Sequence, residues 1–194
     1  VGSEMCIRDS FITGPNAANV NTLLANYNGL SPNMVTPLEG ITTKVSNGTM
    51  IRFNEGVGLI SDNNRMDWSA SLAGSSDVTI AIMGISALIE GEEGAAISSD
   101  ANGDRNTISL PTNQIEYLRK LRKSAGDKPI VLVIKSGSAI ELTEISKYVD
   151  AIIYAWYLGE QGGNAIADVI FGDVNPSGKL PITIPKSLSH LPYY

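Results

Sequence analysis

Histidine and cysteine are almost missing from this sequence, with one of each, His190 and Cys6. That scarcity excludes a disulfide framework and a Cys/His zinc site, and it leaves a Cys–His nucleophile pair only if those two residues meet. Positive charge is scarce too: 14 lysines and arginines stand against 20 aspartates and glutamates, for a net charge of -6 and a pI near 4.8. No basic stripe exists to neutralise phosphates, which argues against a nucleic-acid partner. Nor does any apolar run reach membrane-spanning length, so no membrane partner is expected. What remains is an ordinary globular composition, 43% hydrophobic and 18% charged over 194 residues, enough for one domain or slightly more.

Residues 1–10, Val-Gly-Ser-Glu-Met-Cys-Ile-Arg-Asp-Ser, resemble the translation of a sequencing-library adapter and fit neither the strand that follows nor a signal peptide. They are set apart as a non-native leader, and Cys6 with them. Residues 11–194 form the expected domain, read as a fragment that stops at Leu191-Pro192-Tyr193-Tyr194 without a polar tail.

Along the chain, Phe11-Ile12-Thr13 reads as a short strand running into the turn Gly14-Pro15-Asn16. Thr36-Pro37-Leu38-Glu39 carries a helix start, with a capping threonine, proline at the first helical position and a glutamate that closes a capping box, and this helix should run to about Val45. Thr49 to Phe53 alternates as a strand, Asp67 opens a short helix, and Val78 to Met83 has the β-branched content of a buried strand. Thr112 is expected to cap a helix with Ile115, Leu118 and Leu121 on one face, followed by a strand from Pro129 to Ile134. A helix from Ala139 to Tyr148, a strand from Ala151 to Trp156, a helix from Ala165 to Phe171 and a closing strand from Leu180 to Ile184 complete the pattern. Alternating strands and helices with short turns predict an α/β sandwich, a mostly parallel sheet flanked by helices. Right-handed crossovers then bring the loops at 84–110, 135–138 and 157–163 to one edge of that sheet, where open α/β folds bind their ligands.

The chemistry concentrates in the first of these loops. After Gly84 come Glu90, Glu92 and Glu93, interleaved with glycines, and no lysine or arginine follows until Arg105. Charge runs are commonly solvated surface. Here, however, the run sits at a strand end beside Leu88 and Ile89, which could desolvate a carboxyl and raise its pKa toward that of a general acid. Residues 100–104, Asp-Ala-Asn-Gly-Asp, lack the glycine and glutamate positions of an EF-hand, and Asp104 with Arg105 reads better as a brace for the loop. Gly159, Gly162 and Gly163 match no phosphate-binding signature, which leaves close backbone packing or a tight turn beside a sugar. Ser136 and Ser138 lack a nucleophile elbow, and the lone His190 lies more than fifty residues on. Trp156, at a strand end, suits either the core or a sugar ring.

These residues resemble the C-terminal α/β sandwich domain of family 3 glycoside hydrolases, the β-glucosidase and β-xylosidase family. The resemblance rests on Gly14-Pro15-Asn16, Asn26-Tyr27, the run from Thr36 to Ile41, the Glu90 to Gly94 loop with Gly103-Asp104-Arg105, Ser136-Gly137-Ser138, and the closing runs from Ala155 to Ala165 and from Phe171 to Pro181. It implies retaining hydrolysis of terminal β-linked sugars by two carboxylates on two domains. The nucleophile lies on an N-terminal (β/α)8 barrel, which becomes an expected partner of this piece along with a β-linked oligosaccharide or glycoside substrate. The acid/base is supplied by the acidic loop, where counting from Gly84 favours Glu90, with Glu92 and Glu93 as alternates. Trp156 and Gly162 are expected to contact substrate, and neither a metal nor a cofactor is implied. The reading of another class is a non-catalytic α/β module that holds a sugar or a cation in the acidic loop.

Overall fold

Apolar strand-forming runs buried on both faces account for the centre of the molecule. The computed structural model describes residues 9–26, 28–29, 31–60, 66–91 and 105–192. Within them β1 (Asp9–Thr13), β2 (Met50–Asn54), β3 (Val78–Gly84), β4 (Ile130–Lys135) and β5 (Ala151–Tyr154) form one five-stranded sheet in the order β2-β1-β3-β4-β5. Every pairing is parallel, with Ile12 opposite Ile80 and Ile82 opposite Val133. The chain turns one way from β1 to β2 and the other way to β3, so a topological switch point lies between β1 and β3.

Because side chains alternate along a strand, each central strand feeds two cores. Phe11, Ala81, Met83, Leu132 and Ile134 face one layer, built from helix α3 (Thr112–Ala125) and the 3-10 turn Asp67–Ser75. Ile12, Ile80, Ile82 and Val133 face the other, built from α1 (Pro37–Lys44) and α4 (Gly162–Phe171). A single-turn helix, α2 (Ala87–Glu90), follows β3.

Several elements differ from the sequence reading. Strand β1 begins at Asp9, so it takes in Asp9 and Ser10 from the segment set apart as a leader, with Ser10 paired to Ile51 and Val78. The helix expected over 139–148 is a 3-10 turn at Ile145–Lys147 only. Its first amides are already committed elsewhere, that of Ile140 to the Tyr154 hydroxyl and that of Glu141 to the Ile108 carbonyl. Thr112 is the first residue of α3 rather than its cap, which is Pro111. Residues 180–184 are not paired into the sheet, and Leu180 and Ile182 stand exposed. Strand β5 stops at Tyr154 because Trp156 turns into the left-handed region, at φ 46°.

Candidate active site

The carboxyl edge of β3, β4 and β5 is shaped first by glycine. At the end of β3, Gly84 (φ 139°) passes so close to β4 that a Cβ would meet the Lys135 carbonyl oxygen at 1.9 Å. Gln114 of α3 then pins this residue from the other layer, accepting from the Gly84 amide at 2.9 Å and donating to its carbonyl at 2.7 Å. From that fixed point α2 makes one turn. Ile89 goes into the core and Leu88 stays exposed. Gly91, at φ 72°, ends the turn and leaves Glu90 facing the strand-end loop of β4.

Ser138 holds the Glu90 carboxylate, donating from Oγ to Oε1 at 2.8 Å. Ser136 Oγ lies 3.4 Å from the same oxygen, yet it has one proton and a shorter contact, 2.7 Å, to the Ser138 carbonyl. Ser136 therefore serves mainly to fold its own loop, accepting from the Ser138 amide as well. Between the two serines, Gly137 makes room: a Cβ there would sit 2.6 Å from Glu90 Oε2 and 2.9 Å from the Tyr157 ring. Arg105 donates to Ser138 Oγ at 3.3 Å and to the Ser109 carbonyl at 2.8 Å, which links guanidinium, hydroxyl and carboxylate in one chain of hydrogen bonds. Burial lowers the Arg105 pKa, and the Glu90 charge opposes that shift. The Tyr154 hydroxyl completes the frame by donating to the Ser138 carbonyl at 2.6 Å.

Glu90, Arg105 and Ser138 open onto a cavity of about 620 Å3, with Asn26, Ile108 and Tyr157 also in its wall. The Tyr157 hydroxyl is buried and makes no hydrogen bond among the described residues. Burial, reinforced by the neighbouring Glu90 carboxylate, raises its pKa and keeps the phenol protonated. A buried phenol whose neighbouring acceptors, the Glu90 carboxylate and the Gly137 backbone, lie outside good hydrogen-bond geometry is suited to a ligand that brings acceptors of its own.

Glu90 thus lies in this wall, whereas Glu92 and Glu93 fall outside the described residues, as does Asp104, the expected brace for Arg105. Neither Trp156 nor Gly162 lines the cavity. Trp156 stacks on Tyr154 with ring centroids 4.6 Å apart. Gly162 is buried at the start of α4, where a Cβ would lie 2.9 Å from both Leu158 and Leu23. Sequence reasoning missed Ser138, Tyr154 and Tyr157. The available signal was topological, since polar residues at three strand ends share one edge. Among the described residues no three His, Cys, Asp or Glu side chains converge as a metal site requires.

The profile of the Glycosyl hydrolase family 3 C-terminal domain matches residues 7–194. The chain belongs to this family. Its relatives in family 3 include the periplasmic beta-glucosidase of Salmonella typhimurium, 31% identical over 94% of this chain and 26% of the relative. The probable beta-D-xylosidase 7 of Arabidopsis thaliana is 34% identical over 93% of this chain and 22% of that protein. A solved b-glucosidase from Erythrobacter marinus superposes with a TM-score of 0.79 at 29% identity, covering 97% of this chain and 27% of its own. The exo-beta-xylosidase XlnD, solved with a xylobiose aziridine probe, gives 0.74 at 26% identity over 88% of this chain and 21% of its own. The family 3 domain described here therefore spans about a quarter of the length of the relatives it matches.

Proposed function

We propose that this chain is the sandwich domain of a retaining β-glycosidase and supplies its general acid/base from the loop of Glu90, Glu92 and Glu93. The observation that carries the reading is the Glu90 carboxylate, held by Ser138 Oγ at 2.8 Å on the wall of a cavity at the sheet's carboxyl edge. In such an enzyme one carboxyl group protonates the leaving glycosidic oxygen. The same group, as carboxylate, later takes a proton from the water that releases the sugar from the nucleophile, about 5 Å away. Ser138, bonded to Arg105, would fix the orientation of Glu90, and a β-glucoside or β-xyloside would occupy the cavity with its leaving oxygen toward that carboxylate. The nucleophile would come from an N-terminal barrel domain of the parent protein, which makes the isolated chain inactive, since one carboxylate cannot carry a double displacement.

The test is to fuse residues 9–194 behind the barrel of a family 3 relative and to assay aryl β-glucosides and β-xylosides. Glu90→Gln, Glu92→Gln and Glu93→Gln are compared with and without azide. One of the three should lose activity by about a hundredfold or more, as removal of a general acid/base does, and recover it with azide as an external nucleophile. Loss and rescue in Glu92→Gln or Glu93→Gln would move the role along the loop and leave Glu90 as its anchor. Full activity in all three variants would end the acid/base reading.

A further inference from the structure

A second cavity, of about 320 Å3, opens at the carboxyl ends of β1 and β2. It lies across the switch point from Glu90, beside Gly14, Pro15, Asn19, Val20, Phe53 and Glu55. Its frame is fixed by the backbone. The Glu55 carbonyl accepts from the Gly14 amide at 3.0 Å, the Val57 amide at 2.8 Å and Thr13 Oγ1 at 3.3 Å. Gly14 can make that bond because it holds φ 108°, where a Cβ would meet the Ile82 carbonyl oxygen at 2.1 Å. The Asn54 side chain accepts from the Gly56 amide at 2.9 Å and secures the turn that follows.

At the rim of this tied frame the Glu55 side chain is exposed, and no described residue donates to its carboxylate. Shielding by the surrounding protein raises its pKa, and no charge partner contributes to the shift. Next to it, Phe53 and Val20 are each 42% exposed on an otherwise polar edge. Among the described residues no lysine, arginine or histidine lines the cavity, which disfavours an anionic ligand. An apolar ring beside an acceptor with free lone pairs, on a rigid concave support, suits a molecule with hydroxyl donors on its rim and a C–H face.

We propose that this cavity is a second saccharide site, which takes one pyranose unit of a β-linked oligosaccharide, with Phe53 under the sugar's C–H face and Glu55 accepting from two of its hydroxyls. The choice of β-linked sugars rests on the functional reading above, but among the described residues the site shares none with the wall of the Glu90 cavity. No covalent step is involved, and the gain would be an anchor for chains that reach across the sheet edge.

The experiment is an amide NMR titration of the whole 194-residue chain with xylohexaose and with cellohexaose. Saturable shifts are expected at Gly14 and Val57, and Phe53→Ala and Glu55→Gln should each weaken them about fivefold or more, the effect of losing one aromatic or hydrogen-bonding contact. Glu90→Gln should leave these shifts unchanged. Dispersed spectra of Glu55→Gln, which alters shape little, guard against an unfolded variant. No shift at Gly14 and Val57, or shifts equal in both variants, would overturn the site. A response of these amides to butylammonium but to neither saccharide would overturn it as well. Failure of the acid/base reading would show in the fused enzyme and leave this titration standing.

Discussion

Lys135 ends β4 with its side chain fully buried and its ammonium without a hydrogen-bond partner among the described residues. Burial lowers its pKa to about 8, from an ordinary value near 10.4. In that window the unfolded chain binds the extra proton and the folded chain does not, so stability rises as pH climbs from about 8 toward the ordinary lysine value. Below pH 8 the folded state carries the full penalty, about 3 kcal/mol. Lys135→Met, which keeps the length and loses the charge, is expected to gain about 1–3 kcal/mol at pH 7. The gain should shrink by pH 10 when both chains are unfolded in urea at the two values, whereas an equal gain at both would show that the charge is not its source. The Ile134-Lys135 pair is conspicuous in the sequence, because a lysine closes an apolar strand. Its burial is not legible there, since it depends on the α1 and α4 layer that the alternation of β4 turns it toward. The same holds for Glu90. Its strand-end position can be read from the chain, but its donor Ser138 lies 48 residues away, joined to it only by the β3–β4 pairing.

Among the elements, α1 was the most readable, and α4 was legible except at its start. The Thr36 hydroxyl accepts from the Glu39 amide at 3.3 Å, and the Glu39 carboxylate accepts from the Thr36 amide at 2.8 Å. This is the reciprocal box that four consecutive residues announce. Helix α4 begins at Gly162, three residues before the expected start at Ala165, and the reason lies in tertiary packing. Gly163 approaches α1 so closely that a Cβ would lie 2.0 Å from the Thr36 carbonyl oxygen, and a Cβ on Gly40 would lie 2.2 Å from the Gly163 carbonyl oxygen. Two glycines thus let the helices cross backbone to backbone, the close packing that was one of the two readings of this glycine cluster. Since the obstructing atoms are backbone, they yield little. Gly163→Ala should destabilise the chain by about 1–3 kcal/mol, the usual penalty of overpacking. Gly178→Ala, where a Cβ meets nothing within 4 Å, serves as the control. Equal melting temperatures for the two variants would show that the α1–α4 contact is looser than the geometry states. The helix expected over 139–148 failed for the converse reason. Its local pattern was adequate, but the Ile140 and Glu141 amides are tied to the Tyr154 hydroxyl and the Ile108 carbonyl, and these tertiary contacts fix the path of the chain ahead of Ile145.

At the scale of the molecule, periodicity revealed the parallel sheet because strands buried on both faces write themselves as apolar runs, and strand order then placed both cavities on one edge. It misread the last stretch because a strand needs a neighbour as well as a pattern. Residues 174–192 carry Val174, Leu180, Ile182, Leu188 and Leu191, each at least 40% exposed. Within the described residues their side-chain hydrogen bonds are local, between Ser187 and Ser189. Pro181 and Pro185 further remove two of the donors that edge pairing would require. A stretch that buries so little contributes little to folding, since burial of apolar surface at about 25 cal/mol per Å2 is the main favourable term. Deleting residues 175–194 is therefore expected to leave the unfolding free energy within about 1 kcal/mol, a change typical of surface alterations, and to reduce binding of a hydrophobic dye to the native state. A loss of several kcal/mol would mean that the stretch packs on the domain in solution. Unchanged dye binding would place the exposed apolar surface elsewhere, with Ile60, Met66 and Trp68 as its next source.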